Sequence, residues 1–256
     1  MPDRMRVFIT GASAGLGRAL ALHYADAGAV LGLVARRREM LRDVASALRV
    51  PTALYPLDVR DAVALRDAAA DFMSTHGVPD VVIANAGLSV GTDPALEEDL
   101  SVLQEILDVN LCGMAKTFQP FIGGMKQARK GMLVGIASVA GYRGVPGTSA
   151  YCASKAAAIA YLESLRVELR ESGVRVLTVC PGYIDTEMTT GNPYPMPFLM
   201  NAERAAAKVA SAIERRREFV VIPWQMAAIA KLLRILPNAI FDRALSRTPR
   251  KPRRAR

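Results

Sequence analysis

The sequence predicts an α/β fold in which helices cover both faces of a doubly wound parallel sheet of about seven strands. Three observations lead to this prediction. Short apolar runs alternate with longer stretches that carry apolar residues every three or four positions. The first apolar run enters a glycine-rich turn and then a helical pattern, as in a strand–turn–helix unit. The chain of 256 residues is also long enough for one such domain with a full core.

Seven strands are predicted from the short apolar runs. They cover Arg6–Thr10 and residues 29–35, 52–57, 80–84, 132–137, 174–179 and 219–222. Helices are predicted at residues 62–75, at residues 96–126, in the stretch after Lys155 and at residues 202–216, where apolar residues recur at helical spacing. Because helices separate the strands, we expect right-handed crossovers that build a single parallel sheet.

The first strand leads into the turn Gly11-Ala-Ser-Ala-Gly15-Leu-Gly17. Glycines let a backbone approach a pyrophosphate, and the N-terminus of the following helix supplies free N–H groups and a positive potential. The spacing is G-x-x-x-G-x-G rather than the general G-x-G-x-x-G, and an ordinary strand-to-helix turn is the alternative. The position of the turn on the first strand favours a dinucleotide site.

The end of the second strand bears on which dinucleotide binds. Dinucleotide sites often place an acid here to hold the ribose 2′-hydroxyl, but this sequence reads Ala35-Arg36-Arg37-Arg38. An arginine can pair with a 2′-phosphate instead. We therefore predict NADP(H) rather than NAD(H), with Arg36 on the phosphate and with Arg37 and Arg38 as the solvated start of a helix.

Two later strand ends and one helix carry small or polar residues. Asp58-Val59 follows the third strand, where the aspartate either accepts a hydrogen bond from the adenine amino group or caps the next helix. Asn85-Ala86-Gly87 follows the fourth strand and either lies against the cofactor's ribose or forms a simple turn. Asn110 lies in an apolar helix, where asparagine is intrinsically unfavourable, so we expect it to fix a water molecule or to kink the helix.

The segment from Ser138 to Lys155 holds a hydroxyl, a phenol and an ammonium. Ser138 follows the fifth strand, whereas Tyr151 and Lys155 are four residues apart and share one face of a helix. We expect the ammonium of Lys155 to lower the pKa of Tyr151 from its usual value of about 10. Tyr151 would then exchange a proton with a substrate oxygen that Ser138 also holds. The alternative is that Tyr151 and Lys155 are only a pair on a helix surface.

Composition argues against several other kinds of site. Cys112, Cys152 and Cys180 form no C-x-x-C motif, and their odd number in a chain without a signal peptide indicates a reducing cytoplasm. His23 and His76 are the two histidines. Neither fits a Ser-His-Asp hydrolase, and two histidines make a His-based metal site unfavourable, so no metal is predicted.

The net charge of +9 is concentrated at the C-terminus. Residues 242–256 hold seven basic side chains and one acid, which leaves +3 for the rest of the chain; the basic residues are Arg243, Arg247, Arg250, Lys251, Arg253, Arg254 and Arg256. This tail lacks the interleaved aromatic residues of a nucleic-acid site, so we expect no nucleic-acid partner.

We divide the chain into a domain at residues 1–222 and an extension at residues 223–256. The extension has apolar residues at helical spacing, with Trp224 in front and with Lys231 and Arg234 between them, as interfacial helices do. Those charges and Pro237 argue against a helix that spans a membrane. We expect the extension either to bind an anionic membrane surface near the substrate entrance or to pack on its own domain or on a second subunit.

Taken in order along the chain, these motifs resemble those of the short-chain dehydrogenase/reductases across about residues 5–222. They are Thr10-Gly11-x-x-x-Gly15-x-Gly17, Asn85-Ala86-Gly87, Asn110, Ser138, Tyr151-x-x-x-Lys155 and Pro181-Gly182-x-x-x-Thr186. The resemblance implies a Rossmann-like fold, a nicotinamide cofactor and a homodimer or homotetramer. It assigns acid–base catalysis to Tyr151, carbonyl binding to Ser138, ribose binding and pKa modulation to Lys155, and a proton-relay water to Asn110.

The resemblance therefore implies NADPH-dependent reduction of a ketone or aldehyde, or the reverse reaction. We expect cofactor contacts from Gly11, Ser13, Gly15, Leu16, Gly17, Arg36, Asp58, Val59, Asn85, Ala86, Gly87, Tyr151, Lys155, Pro181, Gly182, Ile184 and Thr186. Two positions depart from the family pattern. Ala137 stands where a second serine is frequent. Ala14 stands where NADP-dependent members often carry a basic residue, so Arg36 bears more of the cofactor preference.

Residues 187–200 are rich in proline and methionine and show no period. We expect a mobile loop that suits an apolar or lipid-like substrate. The alternative to an enzyme is a catalytically silent NADP-binding regulatory or scaffold protein.

Overall fold

The computed structural model describes residues 4–254 and shows a seven-stranded parallel sheet between two layers of helices. The strands are β1 (Arg6–Thr10), β2 (Val30–Ala35), β3 (Thr52–Pro56), β4 (Val81–Ala84), β5 (Met132–Ile136), β6 (Arg175–Pro181), β7 (Ile184–Asp185), β8 (Met200–Asn201) and β9 (Phe219–Ile222). The strand order of the large sheet is β3-β2-β1-β4-β5-β6-β9. This order confirms the predicted doubly wound, Rossmann-like fold. The winding reverses between β1 and β4, and a crevice opens there at the carboxyl ends of the strands.

Nine helices lie within the described residues. They are α1 (Gly15–Asp26), α2 (Arg38–Ser46), α3 (Ala62–His76), α4 (Glu98–Leu107), α5 (Gly113–Ala128), α6 (Ser149–Glu168), α7 (Ala202–Glu214), α8 (Trp224–Ile235) and α9 (Asn238–Leu245). Buried residues of α1, α2 and α7 form one core with the sheet, and those of α3, α5 and α6 form the other.

The central strands carry unbroken apolar runs because both of their faces are covered. Val7 and Ile9 of β1 pack into the core on the α1 side, whereas Phe8 between them packs into the core on the α3 side. Successive side chains of a strand point to opposite faces of the sheet, so a strand between two helical layers needs an unbroken apolar run. The Phe8 ring lies 5.5 Å from the Phe72 ring and 4.8 Å from the Phe121 ring, measured between ring centroids.

The structure corrects the prediction of one uninterrupted helix over residues 96–126. A π-helical turn at Asp108–Cys112 separates α4 from α5. Such a turn widens the helix by one residue and re-aims the side chains within it. Asn110 lies in this turn, so the irregularity expected at Asn110 is a local change of helix type.

The C-terminal extension forms two helices, with Pro237 at the break between α8 and α9. Proline has no backbone N–H and disfavours helical dihedral angles in the residue before it. Leu236 accordingly adopts φ −66° and ψ 130°, which is extended backbone. Met226, Ala230 and Phe241 are buried, so the extension packs on its own domain.

Residues 186–199 form a loop whose base is closed by β7 and β8. These two-residue strands pair in parallel, Ile184 with Met200 and Asp185 with Asn201. The sequence did not predict this pairing, because two residues carry no periodicity. The pairing brings both ends of the loop to the crevice. Within residues 4–254, we find no helix that is both long and apolar enough to cross a bilayer.

Candidate active site

A cavity of about 340 Å³ lies in the crevice at the carboxyl ends of the strands. Its volume falls at the lower end of the range typical of small-molecule sites. Most of the residues predicted to contact a cofactor line it: Gly11, Ser13, Gly15, Leu16, Arg36, Asp58, Val59, Asn85, Ala86, Gly87, Tyr151, Lys155, Pro181, Gly182, Ile184 and Thr186. Ser138 lines the same cavity. Gly17 and Asn110, which were also predicted as site residues, lie outside the lining.

The glycine turn is shaped for close contact with a ligand and with its own chain. Gly15 has φ +50°, a conformation that favours glycine, and a Cβ placed on it would lie 2.9 Å from the Thr186 side chain. A Cβ on Gly17 would lie 2.1 Å from the carbonyl oxygen of Gly11. Glycine at position 15 therefore lets the turn approach Thr186 closely, whereas Gly17 lets α1 pack against the turn.

Asn85 ties the end of β4 to the glycine turn. Its side-chain amide donates to the carbonyl oxygens of Thr10 and Gly11, both at 3.1 Å. The Thr10 hydroxyl in turn accepts from the backbone N–H groups of Asn85 at 3.2 Å and Ala86 at 3.3 Å. These hydrogen bonds hold the two strand ends together at the point where the winding of the sheet reverses.

Asn110 connects two parts of the site through its side-chain amide. Its Oδ1 accepts from Leu88 N at 2.7 Å, and its Nδ2 donates to Leu88 O and to Ser154 Oγ, both at 2.9 Å. The Ser154 hydroxyl donates to the Tyr151 carbonyl at 2.8 Å. Asn110 thus joins the loop after β4 to the turn of α6 that carries Tyr151. The π-helical turn points the amide at both partners.

The basic residues after β2 lie at the outer end of the cavity. Arg36 and Arg37 both line it, and Arg36 lies 4.0 Å from a carboxylate oxygen of Asp58. Arg37 pairs with Glu187 of the 186–199 loop at 3.4 Å. Arg37 was predicted to be only the solvated start of a helix. It is exposed, but it also contacts the opposite wall of the cleft, 150 residues away in sequence.

Asp58 does not cap the helix that follows it, so the capping alternative for this residue is wrong. Asp61 caps α3 instead, through its bonds to the N–H groups of Val63 and Ala64, both at 3.0 Å. Asp58 pairs with Arg60 at 2.7 Å. Burial tends to raise the pKa of Asp58, but hydrogen bonds and charge from Arg60, with a contribution from Arg36, lower it overall. The carboxylate is therefore ionised in the cleft.

Ser138, Tyr151 and Lys155 meet at the inner end of the cavity. Ser138 is buried just after β5, and its Oγ accepts from Ala140 N at 3.1 Å. The Lys155 Nζ lies 5.8 Å from the centroid of the Tyr151 ring and donates to the Ile136 carbonyl at 2.7 Å. A strand end and a helix one loop later thus bring the hydroxyl, the phenol and the ammonium together, as the sequence predicted.

The expected direction of the Tyr151 pKa shift is wrong for this structure. Burial raises the pKa of Tyr151 to about 12, and the hydrogen bond with Ser138 offsets only part of this rise. Burial also lowers the pKa of Lys155 to about 8. Removing water from a phenolate and from an ammonium disfavours both charged forms. The phenol is consequently protonated at neutral pH.

The cavity also contains residues that sequence reasoning missed, namely Ala14, Ala35, Arg37, Leu57, Leu88, Val109, Ile136, Ala137, Glu187, Met188 and Thr189. Most of them directly flank a predicted motif, and that adjacency was the available signal. Glu187, Met188 and Thr189 follow Thr186 in the 186–199 loop, and their position depends on how that loop folds back.

Comparisons with known proteins agree with this architecture. A family model described as short chain dehydrogenase matches residues 5–194. An uncharacterized oxidoreductase of Myxococcus xanthus is 40% identical over 93% of this chain and 95% of that protein. An uncharacterized oxidoreductase of Mycobacterium tuberculosis is 35% identical over 94% of this chain and 97% of that protein.

Two solved structures show the same fold at lower identity. A short chain dehydrogenase from Burkholderia cenocepacia in complex with NADP has a TM-score of 0.82 and 28% identity, covering 95% of this chain and 98% of the other. An alcohol dehydrogenase from Thermococcus sibiricus complexed with 5-hydroxy-NADP has a TM-score of 0.75 and 26% identity, covering 86% of this chain and 96% of the other.

Proposed function

Because this chain belongs to the short-chain dehydrogenase/reductase family of oxidoreductases, we propose that it reduces a ketone or aldehyde to an alcohol with NADPH, or catalyses the reverse reaction. The observation that carries this proposal is the placement of Ser138, Tyr151 and Lys155 around one cavity that the glycine turn and Arg36 also line. One end of the cavity offers acid–base groups, and the other offers a positively charged cradle.

The residues of the cavity fit a nicotinamide dinucleotide. The glycine turn lines the cavity at Gly11, Ser13 and Gly15, and α1 begins at Gly15, so a pyrophosphate there would meet the free N–H groups at the start of a helix. When bound, the cofactor supplies the hydride, whereas the protein supplies orientation and protons. Lys155 lies deep enough to hold a ribose hydroxyl, and we assign it that role.

Three side chains act on the substrate oxygen or its surroundings in this proposal. The Ser138 hydroxyl donates a hydrogen bond to the carbonyl oxygen and so polarises it. Tyr151 gives that oxygen its proton as negative charge develops there. A phenol whose pKa is about 12 is protonated at neutral pH and is ready to act as the acid. Asn110 holds α6 and the loop after β4 in place relative to each other. We also propose that Asn110 holds a water molecule that relays protons.

We propose NADP(H) as the cofactor because the edge of the cavity at β2 is basic. Arg36 and Arg37 stand where an acid would otherwise hold a 2′-hydroxyl. The two solved structures described above contain NADP or a derivative of it, which supports the same choice. Asp58 and Val59 would then lie against the adenine.

We propose an apolar substrate because apolar side chains surround the catalytic end of the cavity. Leu88 and Met188 line it, and the rings of Tyr183 and Tyr194 lie 6.3 Å apart on the 186–199 side. Phe198 and Leu199 are exposed on the same loop. Long-chain or aromatic carbonyl compounds fit such surroundings.

The test is NADPH consumption by the purified protein with aldehydes and ketones of increasing apolar length. Tyr151→Phe should lower kcat by about 10²–10⁴-fold, the range for loss of an acid–base group, and should leave NADPH binding nearly intact. Tyr161→Phe on the same helix is the matched control, because Tyr161 does not line the cavity. Near-normal turnover by Tyr151→Phe would remove Tyr151 from this role. NADPH binding without turnover on any carbonyl would favour the silent scaffold.

We also propose a homodimer or homotetramer that uses the outward face of α4 and α6. Leu100 and Val167 are exposed there, and exposed alanines of α6 would allow close helix packing. Light scattering on the full chain measures the mass, and a monomer at micromolar concentration would contradict the proposal. The three unpaired cysteines fit the proposed location in a reducing cytoplasm.

The outward face of α8 supports a second, separate proposal of peripheral membrane binding. Trp224 is 73% exposed and Ile235 is 79% exposed, with Leu232 beside them. The basic tail contributes less than the sequence suggested, since several of its arginines pair with acids of the same chain. Arg256 lies outside the described residues.

Flotation with anionic liposomes at low and high salt tests the membrane proposal. The full chain is compared with Trp224→Ser and Ile235→Ser, because a chain ending at Ile222 would uncover the residues on which Met226 and Phe241 pack. If the full chain stays in the soluble fraction at low salt, the proposal is wrong and the extension serves only its own domain.

A further inference from the structure

The last described residues of the chain, 250–254, run along the rim of the cavity; we name them the strap. The strap follows α9 and crosses the loop after β4, the N-terminal part of α4 and the 186–199 loop. None of its residues was predicted as part of the site. Sequence alone presented them as a basic tail.

The middle of the strap joins two loops that line the cavity. The backbone N–H of Gly91 donates to the Pro252 carbonyl at 3.1 Å. The Lys251 Nζ donates to Ser89 Oγ at 2.9 Å and to the Met188 carbonyl at 3.0 Å. Met188 itself lines the cavity, and Ser89 follows Leu88, which also lines it. One ammonium therefore bridges the loop after β4 and the 186–199 loop, both of which contribute to the cavity lining.

Ion pairs hold the strap down on either side of Lys251. Arg253 makes a two-pronged contact with Asp99, with both N···O distances at 2.8 Å. The Asp99 side chain is only 8% exposed, so this is a shielded, charge-assisted pair of the stronger kind. Arg250 pairs with Asp93 at 3.7 Å, and Arg254 pairs with Glu105 at 3.1 Å.

The surface below the strap has glycine where the strap comes closest. A Cβ on Gly91 would lie 2.1 Å from the Lys251 carbonyl oxygen, which is an impossible contact. A Cβ on Gly147 would lie 2.7 Å from the Cβ of Arg250, and Gly147 has φ +74°. Gly147 belongs to the loop between Ser138 and Tyr151. Two different segments of the domain thus carry a glycine where the strap packs closely against them.

The beginning of the extension is attached to the same loop through Arg143. Its guanidinium donates to the carbonyls of Leu233 and Leu236 at the end of α8 and to Asn238 Oδ1 at 2.7 Å. It also lies 3.8 Å from the centroid of the Phe241 ring. The extension is consequently attached to the rim of the site both at its helices and at its end.

We infer that the strap holds the 186–199 loop against the loop after β4 and so shapes the substrate end of the cavity, with Lys251 as the positioning residue. The part of this inference that concerns substrate rests on the function proposed above. Lys251 does not line the cavity and acts through Ser89 and Met188. Burial lowers the pKa of Lys251, in keeping with an ammonium enclosed between two loops.

Hydrogen exchange on the full chain tests the positional half of the inference without any need for activity. In Lys251→Met, we expect exchange in peptides covering residues 187–199 and 89–93 to be about tenfold faster, as for the loss of a charged hydrogen bond. Lys251→Arg keeps a donor and should restore slow exchange. Lys126→Met is the matched control, because Lys126 is exposed near the end of α5, where the chain leads to the amino end of β5 and not to the carboxyl ends at which the cavity lies.

Steady-state kinetics tests the substrate half. Lys251→Met should raise KM for an accepted carbonyl by about tenfold and leave kcat and the Kd for NADPH within about twofold. A chain that ends at Pro249 should behave like Lys251→Met or show a larger effect. Equal exchange and equal KM in the wild type, Lys251→Met and the shortened chain would overturn the inference. If no carbonyl is reduced, the proposed function fails, and the exchange rates alone decide whether the strap positions the loop.

Discussion

Replacing Asn110 by leucine should destabilise the protein strongly, because Asn110 is a fully buried polar residue that makes three hydrogen bonds. Its relative exposure is 0%, and its partners are Leu88 N, Leu88 O and Ser154 Oγ. Leucine has the same number of side-chain heavy atoms and the same branching at Cγ, but it has no polar atoms. The substitution therefore leaves a backbone donor and a backbone acceptor of Leu88 without their partner inside the domain.

The expected loss follows from the cost of unsatisfied groups. A buried donor or acceptor that loses its partner costs about 1–3 kcal/mol, and a typical hydrogen bond contributes about 1 kcal/mol net. Two orphaned Leu88 groups and one lost bond to Ser154 then lower the free energy of unfolding by about 3–7 kcal/mol. For a chain of this size, each kcal/mol lowers Tm by about 2–4 °C, so the expected fall in Tm is about 6–28 °C.

Urea and thermal unfolding of Asn110→Leu measure this loss, with Asn192→Leu as the matched control. Asn192 lies in the 186–199 loop, where its amide has one weak contact, to Met196 Sδ at 3.6 Å. We expect the control to change stability by less than about 0.5 kcal/mol.

A double-mutant cycle with Ser154→Ala tests the hydrogen bond between the side chains of Asn110 and Ser154. Ser154→Ala should cost about 1 kcal/mol in the wild type and clearly less in Asn110→Leu, since the bond between the two side chains can be lost only once. If Asn110→Leu is no more destabilising than Asn192→Leu, or if the two substitutions are additive, the reasoning about this network is wrong.

Three further predictions follow from the cleft. Arg36→Ala should lower kcat/KM for NADPH by about 10–100-fold, the size expected for loss of a charged contact with a phosphate, and should change kcat/KM for NADH little. An unchanged preference for NADPH, or a wild type that prefers NADH, would contradict the role of Arg36. Glu187→Gln should lower KM for NADPH by up to about fivefold, because Glu187 then no longer competes with the 2′-phosphate of the cofactor for Arg37. No change in KM, or an equal change in KM for NADH, would show that the pair of Arg37 and Glu187 does not affect cofactor binding. Because burial lowers the pKa of Lys155 to about 8, the unfolded chain binds more protons than the folded chain between about pH 8 and 10. The wild type should therefore gain stability relative to Lys155→Met as pH rises through this window and lose it as pH falls. Parallel curves of unfolding free energy against pH for the two proteins, measured in urea, would refute the shift.

The sheet and the core of the site were predictable because their signals are local. A strand buried on both faces needs a continuous apolar run, so runs such as residues 7–9 within β1 stand out in the sequence. The glycine turn directly follows β1, and Ser138 directly follows β5. Once parallel strands are assumed, their carboxyl ends must meet at one edge of the sheet. The cavity lining at Arg36, Asp58 and Thr186 follows from the same geometry.

The pKa of Tyr151 was mispredicted for an equally physical reason. The spacing of Tyr151 and Lys155 shows that an ammonium is near, which favours the phenolate. It does not show how much water is removed from both groups by β5, β6 and the 186–199 loop. In the folded chain, burial dominates and raises the pKa of Tyr151 to about 12.

The sequence by itself determined which residues form the strands, the glycine turn and the Ser138, Tyr151 and Lys155 set, since each depends on neighbours within a few positions. Only the tertiary structure decided that Arg37 meets Glu187, that Asn110 bonds to Leu88 and Ser154, and that the basic tail becomes a strap seated on Gly91 and Gly147. These contacts join residues that are from 22 positions apart, as for Leu88 and Asn110, to 161 positions apart, as for Gly91 and Pro252. Charge and hydrogen-bonding capacity can be read from a sequence, but the choice of partner depends on which surfaces the packed sheet and helices bring within 3–4 Å of each other.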